Sequence, residues 1–174
     1  MPPAIVRISP DVYCQHVPGL AEVLADAVAH GASVGFRAPF GPADAAAWWH
    51  TREAAVRDGS LHVWAVHGPG GIAGTVSLAL EPKPNGRHRA EVLKLMVHSR
   101  ERGRGLGRAL LSTAEEAAAA AGRTLLLLDT ATGSPAERLY ETAGWTRYGI
   151  VPEYATDPGG TLEDCSFFRK RLEA

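Results

Sequence analysis

The segment between residues 90 and 121 joins an apolar stretch, a turn rich in glycine and arginine, and a long alanine-rich stretch. Glycines at 103, 105 and 107 let the backbone curl tightly and approach a ligand closely. A helix that starts at this turn points unpaired N–H groups and its positive dipole end towards the same space. The turn also carries four guanidinium groups, those of Arg100, Arg102, Arg104 and Arg108. Together these donors predict a strand–turn–helix unit that binds a pyrophosphate.

Two familiar phosphate-binding loops do not match this turn. A Walker loop requires Lys and then Ser or Thr after its last glycine, whereas Arg108 and Ala109 follow Gly107 here. A dinucleotide fingerprint requires a small residue where this chain has Arg108 or Leu110, depending on the glycine from which it is counted. The alternative without a ligand is a basic surface turn whose glycines provide only flexibility.

Hydrophobic periodicity and turn residues predict the element order β-α-α-β-β-β-α-β-α-β-β. The predicted strands are 4–8, 61–67, 72–80, 90–97, 124–129, 145–154 and 161–171. The predicted helices are 17–30, 44–58 with Asp44 as its cap, 105–121 and 134–143. The helical crossover between strands 90–97 and 124–129 makes these two strands parallel. The predicted fold class is therefore α/β with a mixed, largely antiparallel sheet, a central parallel βαβ unit and helices on both faces, in a single domain over residues 1–174.

The composition excludes several classes of protein. The chain has 18 Lys and Arg against 19 Asp and Glu, a net charge of −1, so neither nucleic acid nor a membrane is expected as a partner. No apolar run is long enough to span a bilayer, and the first residues lack a signal peptide's apolar region. Two cysteines, Cys14 and Cys165, form no disulfide framework, which favours a cytoplasmic location. The histidines show no metal-ligand spacing, so no metal is expected.

The turn at residues 102–107, Arg-Gly-Arg-Gly-Leu-Gly, resembles the Arg/Gln-x-x-Gly-x-Gly/Ala signature of the GNAT acetyltransferases. The downstream order is similar too, with a strand that ends in Asp129, a helix that carries Tyr140, and Ala-Gly-Trp at 143–145. Segments 31–36 and 90–97 and the closing segment resemble the tabtoxin-resistance acetyltransferases in particular. The resemblance covers essentially the whole chain. It implies the GNAT fold, an N-acetyltransferase activity and acetyl-CoA as the co-substrate.

The resemblance also implies which residues contact acetyl-CoA. Backbone groups of Leu95, Met96 and Val97 bond the pantetheine arm, while the side chains of these three residues are core. The turn that binds the pyrophosphate comprises Arg102, Gly103, Arg104, Gly105, Leu106, Gly107 and Arg108. Ser134 stands where many relatives place an asparagine against the pantetheine, although a helix N-cap explains a serine there equally well.

Three residues are candidates for the chemistry of transfer. The resemblance implies Tyr140 as the candidate general acid for the departing thiolate, since related enzymes place a tyrosine near the CoA sulfur, and a phenol is protonated at neutral pH; the alternative is a core tyrosine that bonds a backbone carbonyl. Glu91 and Asp129 are the candidate bases for the amine proton, since a carboxylate inside an apolar strand is costly unless it is paired or functional. The alternatives are a salt bridge from Glu91 to Arg89 and a turn cap at Asp129.

The acceptor is implied by resemblance to be a small amine of the toxin or antibiotic kind. Among the aromatics of the region between the first two helices, Phe36 and Trp49 are the candidates for walls of its pocket; the alternative is that they are core. Two other functions compete with this one: acetylation of a protein N-terminus or lysine, and binding of acyl-CoA without catalysis. Relatives usually pair as homodimers, although no feature of this sequence requires a dimer.

Overall fold

The computed structural model describes residues 3–173. Its seven strands form one sheet in the order β1-β2-β3-β4-β5-β7-β6. The strands β1 to β7 are Ile5–Arg7, Leu61–Gly68, Gly71–Leu80, Arg89–Val97, Leu125–Ala131, Thr146–Thr156 and Leu162–Arg171. All neighbouring pairs are antiparallel except β4 and β5, which are parallel. The predicted fold class, with its mixed sheet and central parallel unit, is confirmed.

Five helices cover the two faces of this sheet. The helices α1 to α5 are Tyr13–Ala29, Pro42–His50, Glu53–Asp58, Leu106–Ala120 and Pro135–Thr142. The apolar residues of α1, α2 and α3 form one core cluster with one face of the sheet, and those of α4 and α5 form a second cluster with the other face. Within residues 3–173, no helix combines the length and the apolar character that crossing a membrane requires.

The parallel pair β4–β5 creates an opening in the sheet. The two strands are paired only where Arg89 to Glu91 lie beside Leu125 to Leu127, and beyond this point they diverge. A β-bulge interrupts the pairing of β4 with β3 between Thr75 and Ser77, and Lys94 there has a φ of 50°. Because a bulge bends its strand, it turns the end of β4 away from β5. The result is a cleft between the ends of the two strands.

Two predicted helices differ from the structure. Helix α1 begins at Tyr13 and runs through Pro18, because the buried Tyr13 side chain holds the first turn by donating a hydrogen bond to the carbonyl of Trp49 at 2.8 Å. The predicted helix 44–58 is two helices, since the hydroxyl of Thr51 bonds the carbonyl of Trp48 and the chain turns there. Asp44 is not the cap residue: it lies in the first turn and accepts from the N–H of Gly41 at 2.9 Å.

Candidate active site

The glycine-rich turn leaves six consecutive backbone N–H groups, from Gly103 to Arg108, without a hydrogen-bond acceptor among residues 3–173. Gly103 and Gly105 both have a φ of 76°, a conformation that side-chain-bearing residues rarely adopt. Gly105 is also the cap residue of α4, so the helix and the turn direct their N–H groups to one place. These N–H groups lack hydrogen-bond acceptors, and the negatively charged oxygens of a pyrophosphate are strong acceptors. The array therefore fits the pyrophosphate of acetyl-CoA.

The arginines of the turn are already engaged by the protein. Arg102 donates to the carbonyl of Val97 at 3.2 Å, and Arg104 pairs with the buried Glu101 at 2.7 Å. Arg108 donates to the hydroxyl of Thr142 at 2.6 Å. The arginines therefore brace the turn against β4 and α5, and the backbone supplies the free donors. Their own contact with phosphate stays a prediction.

Helix α1 also holds this turn in place. The carboxylate of Asp26 accepts two hydrogen bonds from Ser99, at 2.8 Å from its N–H and at 2.7 Å from its hydroxyl. Ser99 lies in the connection between β4 and α4. The sequence offered no signal for this contact, since the two residues are separated by 73 positions.

The end of β4 lies along one side of the cleft. Met96 is buried in the core cluster on the α1 side, and Leu95 and Val97 pack against the cluster on the α4 side. These side chains have the core positions that the sequence predicted. The carbonyl of Val97 accepts from Arg102. Backbone contact of this strand with pantetheine stays a prediction.

Glu91 and Asp129 lie on the same face of the sheet, on the two strands that diverge. Their neighbours Ala90, Val92 and Leu128 are buried on the α4 side, and side chains alternate along a strand, so both carboxylates face the α1 side. Both residues are exposed to the cleft. Partial removal from water, and then the charge of Asp129, raise the pKa of Glu91 above its usual range, while the charge of Lys94 acts in the opposite direction.

The structure does not show the two alternatives considered for these carboxylates, a salt bridge from Glu91 to Arg89 and a turn cap at Asp129. Arg89 pairs with Glu81 at 3.1 Å rather than with Glu91. Asp129 caps no turn among the described residues; instead it accepts from the thiol of Cys165 at 3.3 Å. Burial, and then this contact, raise the pKa of the Cys165 thiol to about 12, so it remains a proton donor to Asp129. Both carboxylates are thus unpaired by cations within 4.0 Å in the part of the chain that the structure describes.

Tyr140 is 5% exposed and packs against Trp145 and Phe168, with ring centroids 6.0 and 5.9 Å away. Its hydroxyl has no hydrogen-bond partner between residues 3 and 173, so it is not the core tyrosine bonded to a carbonyl that was the alternative. Burial, and then the charge of Asp129, raise the pKa of Tyr140 well above its usual value. The phenol is therefore protonated at physiological pH and has a free donor.

Ser134 is the N-cap of α5, where its Oγ accepts from the N–H of Glu137 at 3.3 Å. The Glu137 carboxylate in turn accepts from the N–H of Gly133 and the hydroxyl of Ser166, each at 2.6 Å, and pairs with Arg147 at 3.0 Å. This buried network fixes the helix that carries Tyr140. The helix-cap explanation of Ser134 is confirmed, and its contact with pantetheine stays a prediction.

A cavity of about 240 Å³ lies beside the cleft on the α1 side. Its polar lining includes Arg52, Ser77 and Lys94, and Trp48 forms an aromatic wall. Phe36, the other predicted wall, is not among the residues that line this cavity; it contacts Trp48 with centroids 5.6 Å apart and stacks on Phe40 at 4.4 Å. These lining residues carried no sequence motif, because they come from separate elements and only the fold brings them together.

Trp49 does not line this cavity. The side chain of Trp49 is fully buried in the core cluster on the α1 side. Trp48 instead lines the cavity, the role that was predicted for Trp49. Adjacent residues of a helix point about 100° apart, so the choice between two neighbouring tryptophans depends on how α2 is rotated against the sheet. That rotation is a property of the packing.

The segment between α1 and α2 crosses over the cleft to the β6–β7 hairpin. The N–H of Ala38 donates to the carbonyl of Pro158 at 2.9 Å, and the hydroxyl of Ser33 donates to the carbonyl of Thr156 at 3.2 Å. Lys94 on β4 also holds this segment, since its Nζ donates to the carbonyl of Val34 at 2.9 Å. The acceptor side of the cleft is therefore walled on two sides.

One group of metal-ligating side chains occurs among the described residues. The donor atoms of Cys14, His50 and Glu53 lie within 4.8 Å of one another. None of the three lines the cavity beside the cleft. Sequence spacing could not show this group, because it joins the start of α1 to the last residue of α2 and the first residue of α3.

Comparisons with known proteins agree with this geometry. The model of the Acetyltransferase (GNAT) family matches residues 25–145, well over half of the chain. A ribosomal-protein-alanine N-acetyltransferase from Brucella melitensis is 23% identical, with a TM-score of 0.77 over 97% of this chain and 99% of its own. The protein yncA from Salmonella typhimurium, solved with its cofactor acetyl-CoA, is 21% identical, with a TM-score of 0.75 over 100% of this chain and 96% of its own.

A phosphinothricin acetyltransferase from Sinorhizobium meliloti, in complex with acetyl-CoA, is 17% identical, with a TM-score of 0.79 over 99% of this chain and 89% of its own. At these identities the structures establish the shared fold, and the family model establishes the family. The chain belongs to the GNAT family of acetyltransferases. It is an N-acetyltransferase, and acetyl-CoA is its co-substrate.

Proposed function

We propose that this protein transfers the acetyl group of acetyl-CoA directly to the amine of a small molecule. The observation that carries the proposal is the position of Glu91 and Asp129, two carboxylates that form no salt bridge among residues 3–173 and face one cleft from two diverging strands. The unpartnered hydroxyl of Tyr140 lies close enough to Asp129 for that charge to act on it. A base and an acid in one cleft are what amine acylation requires.

Each residue has a defined part in the proton balance. Acetyl-CoA supplies the acetyl group as a thioester, and the amine nitrogen forms a bond to the carbonyl carbon as the carbon–sulfur bond breaks. Glu91 and Asp129 accept the proton that the amine loses, directly or through water. Tyr140 donates a proton to the sulfur that leaves. The free N–H groups from Gly103 to Arg108 would hold the pyrophosphate, and backbone groups from Leu95 to Val97 the pantetheine.

The pKa of Glu91 suits the role of base. A carboxylate with a raised pKa binds a proton more readily than a free one, so it is a stronger base at the pH of the cell. The rate should therefore increase with pH as Glu91 loses its proton. Tyr140 sets no alkaline limit near neutrality, because its own pKa is raised as well.

The enclosed acceptor side favours a small acceptor over a protein. Hydrogen bonds at Ala38 and Ser33 tie the segment over the cleft to the β6–β7 hairpin, whereas a peptide chain would need an open groove. The resemblance of segments 31–36 and 90–97 suggests an acceptor of the tabtoxin or antibiotic kind. The cytoplasmic location and the homodimer stay predictions.

The test is release of CoA thiol from acetyl-CoA with a panel of small amines, polyamines and peptides. We expect turnover of at least one small amine and little turnover of peptides. Isothermal titration with acetyl-CoA reports cofactor binding separately. Faster turnover of peptides than of every small amine would replace this proposal by protein acetylation, and tight binding of acetyl-CoA with no turnover at all would favour the binding module.

A further inference from the structure

Two cations line the cavity of about 240 Å³ beside the cleft. Lys94 and Arg52 both line it, and neither forms a salt bridge within 4.0 Å in residues 3–173. The neighbouring arginine, Arg57, does have such a partner in Glu53 at 2.5 Å. Two unpaired cations on one small cavity repel each other, so an anion between them would be stabilising.

Ser77 adds a second, independent sign of a missing ligand. Ser77 is 2% exposed and lines the same cavity, and its Oγ has no hydrogen-bond partner among the described residues. A buried hydroxyl without a partner costs about 1–3 kcal/mol, so native proteins rarely leave one unless a ligand or water completes it. Ser77 lies opposite Leu93 on β4, one position from the bulge that presents Lys94.

Lys94 keeps donors available for a ligand. Its Nζ donates one hydrogen bond, to the carbonyl of Val34, and lies 5.0 and 5.6 Å from the ring centroids of Trp48 and Phe36. An ammonium has three donors, so two are left. Removal from water lowers the pKa of Lys94; the charge of Asp129 acts against this shift, that of Arg52 adds to it, and that of Glu91 acts against it. An anion in the cavity would act in the same direction as the two carboxylates.

The cavity also lies next to the catalytic carboxylate. A second cavity, of about 170 Å³, is lined by Glu91 and shares Ala79, Leu80 and Pro82 with the first. Glu91 and Leu93 are two residues apart on one strand, a distance on the order of 7 Å. A molecule with its amine near Glu91 can therefore extend into the cationic cavity.

We propose that Arg52, Ser77 and Lys94 form an acceptor subsite for a carboxylate, so that the preferred substrate is an amine that also carries a carboxylate. The proposal rests on the proposed transfer to small amines. Arg52 lies at the exposed mouth of the cavity, where its guanidinium can engage a carboxylate through two parallel hydrogen bonds. Trp48 provides the apolar wall for the carbon chain between the two charged ends, and Phe36, which does not itself line the cavity, contacts Trp48.

The first experiment measures binding without transfer. Butyrate and butyramide are matched in size and differ in charge, and neither has an amine, so NMR titration of each in the presence of CoA tests only the anion subsite. We expect butyrate to bind about ten-fold or more tightly than butyramide, because hydrogen bonds to a charged group contribute at least this factor. We expect the preference to fall towards one in Arg52→Gln and in Ser77→Ala.

Arg57→Gln is the matched control, since it removes the same charge from a side chain that is 71% exposed and lies outside the cavity. It should keep the preference for butyrate. Ser77→Ala removes a single hydroxyl, so loss of folding is not a concern. Equal binding of acid and amide by the wild-type protein, or a preference that survives in Arg52→Gln and Ser77→Ala, would overturn the proposal.

The second experiment measures turnover of matched amine pairs: β-alanine with β-alaninamide, and γ-aminobutyrate with γ-aminobutyramide. We expect kcat/KM to favour each acid by about ten-fold or more, with the difference lost in Arg52→Gln. A preference for butyrate in binding without turnover of any amine would retain the subsite and refute the proposed transfer. Turnover of amines without any preference for the acids would retain the transfer and refute the subsite.

Discussion

The two halves of the cleft, which we propose to hold the cofactor and the acceptor, are built in different ways. The cofactor half is the run from Gly103 to Arg108, whose donors are backbone N–H groups of consecutive residues. The acceptor half is assembled from side chains of α2–α3, β3 and β4, which lie far apart in the sequence. A backbone site tolerates many side chains but needs glycines at particular φ values, whereas a side-chain site changes its ligand with every substitution. One fold can therefore keep acetyl-CoA and vary the acceptor.

Tyr140→Phe tests the point where the two halves meet and should have the largest effect. Loss of the Tyr140 hydroxyl should lower kcat by about 10²–10³-fold, the usual contribution of a general acid. Acetyl-CoA affinity should not change, since the ring and its packing remain. Stopped-flow thiol release and isothermal titration measure the two quantities.

The matched control for that variant is Tyr148→Phe, because Tyr148 is an exposed tyrosine on β6. It should leave kcat unchanged. Equal activity of Tyr140→Phe and the wild-type enzyme would remove Tyr140 from the chemistry and leave it a core residue.

Glu91→Gln should lower kcat/KM by about 10²-fold and abolish its increase with pH, because the base is lost. Asp129→Asn should instead shift that increase to lower pH, since the charge of Asp129 helps to raise the pKa of Glu91. The pH profile of kcat/KM measures both. If Glu91→Gln kept the full acidic limb, another group would be the base.

Gly105→Ala tests the cofactor half. A side chain at a φ of 76° costs about 1–2 kcal/mol and disturbs the free N–H groups around it. We expect KM for acetyl-CoA to increase about ten-fold, equivalent to the loss of one hydrogen bond to a charged group.

Gly122→Ala is the matched control for Gly105→Ala, because Gly122 has a φ of 73° and, like Gly105, open space where an added Cβ would lie. It should lower the melting temperature as much as Gly105→Ala does and leave KM unchanged. A similar rise of KM in both variants would mean that strain, and not the turn, controls cofactor binding.

Glu137→Gln tests the support of the helix that carries Tyr140 and should have the smallest effect on activity. The hydrogen bond from Ser166, then those from Gly133 and Arg147, hold the pKa of Glu137 below its usual range. A lowered pKa stabilises the folded state above the unfolded value, and this contribution is lost as the pH falls through the folded one. Near neutral pH we expect the variant to lose about 1–3 kcal/mol of unfolding free energy.

Chemical denaturation at several pH values measures this loss, and the difference from the wild-type protein should close in acid. Glu141→Gln is the control, as its exposed carboxylate lies 3.9 Å from the same Arg147. A difference between Glu137→Gln and the wild-type protein that stayed constant down to low pH would contradict the role of the ionised carboxylate.

The sequence by itself determined the order of the strands, the parallel β4–β5 unit and the turn at residues 103–108, but not the division of the second predicted helix into α2 and α3. These are local properties: hydrophobic periodicity, glycine at positive φ and the start of a helix act over a few neighbouring residues. The candidates Glu91 and Asp129 could also be named from the sequence, because an acidic residue in an apolar strand is costly and therefore conspicuous, whereas Tyr140 was named from the family resemblance.

Only the tertiary structure decided which side chains face the acceptor. It buried Trp49 and exposed Trp48 to the cavity, and it placed the unpaired Oγ of Ser77 beside the cations Arg52 and Lys94. Each of these outcomes depends on the rotation of a helix or on a single bulge in β4. Such details are set by the close packing of distant segments, in which a shift of one residue exchanges an inward side chain for an outward one.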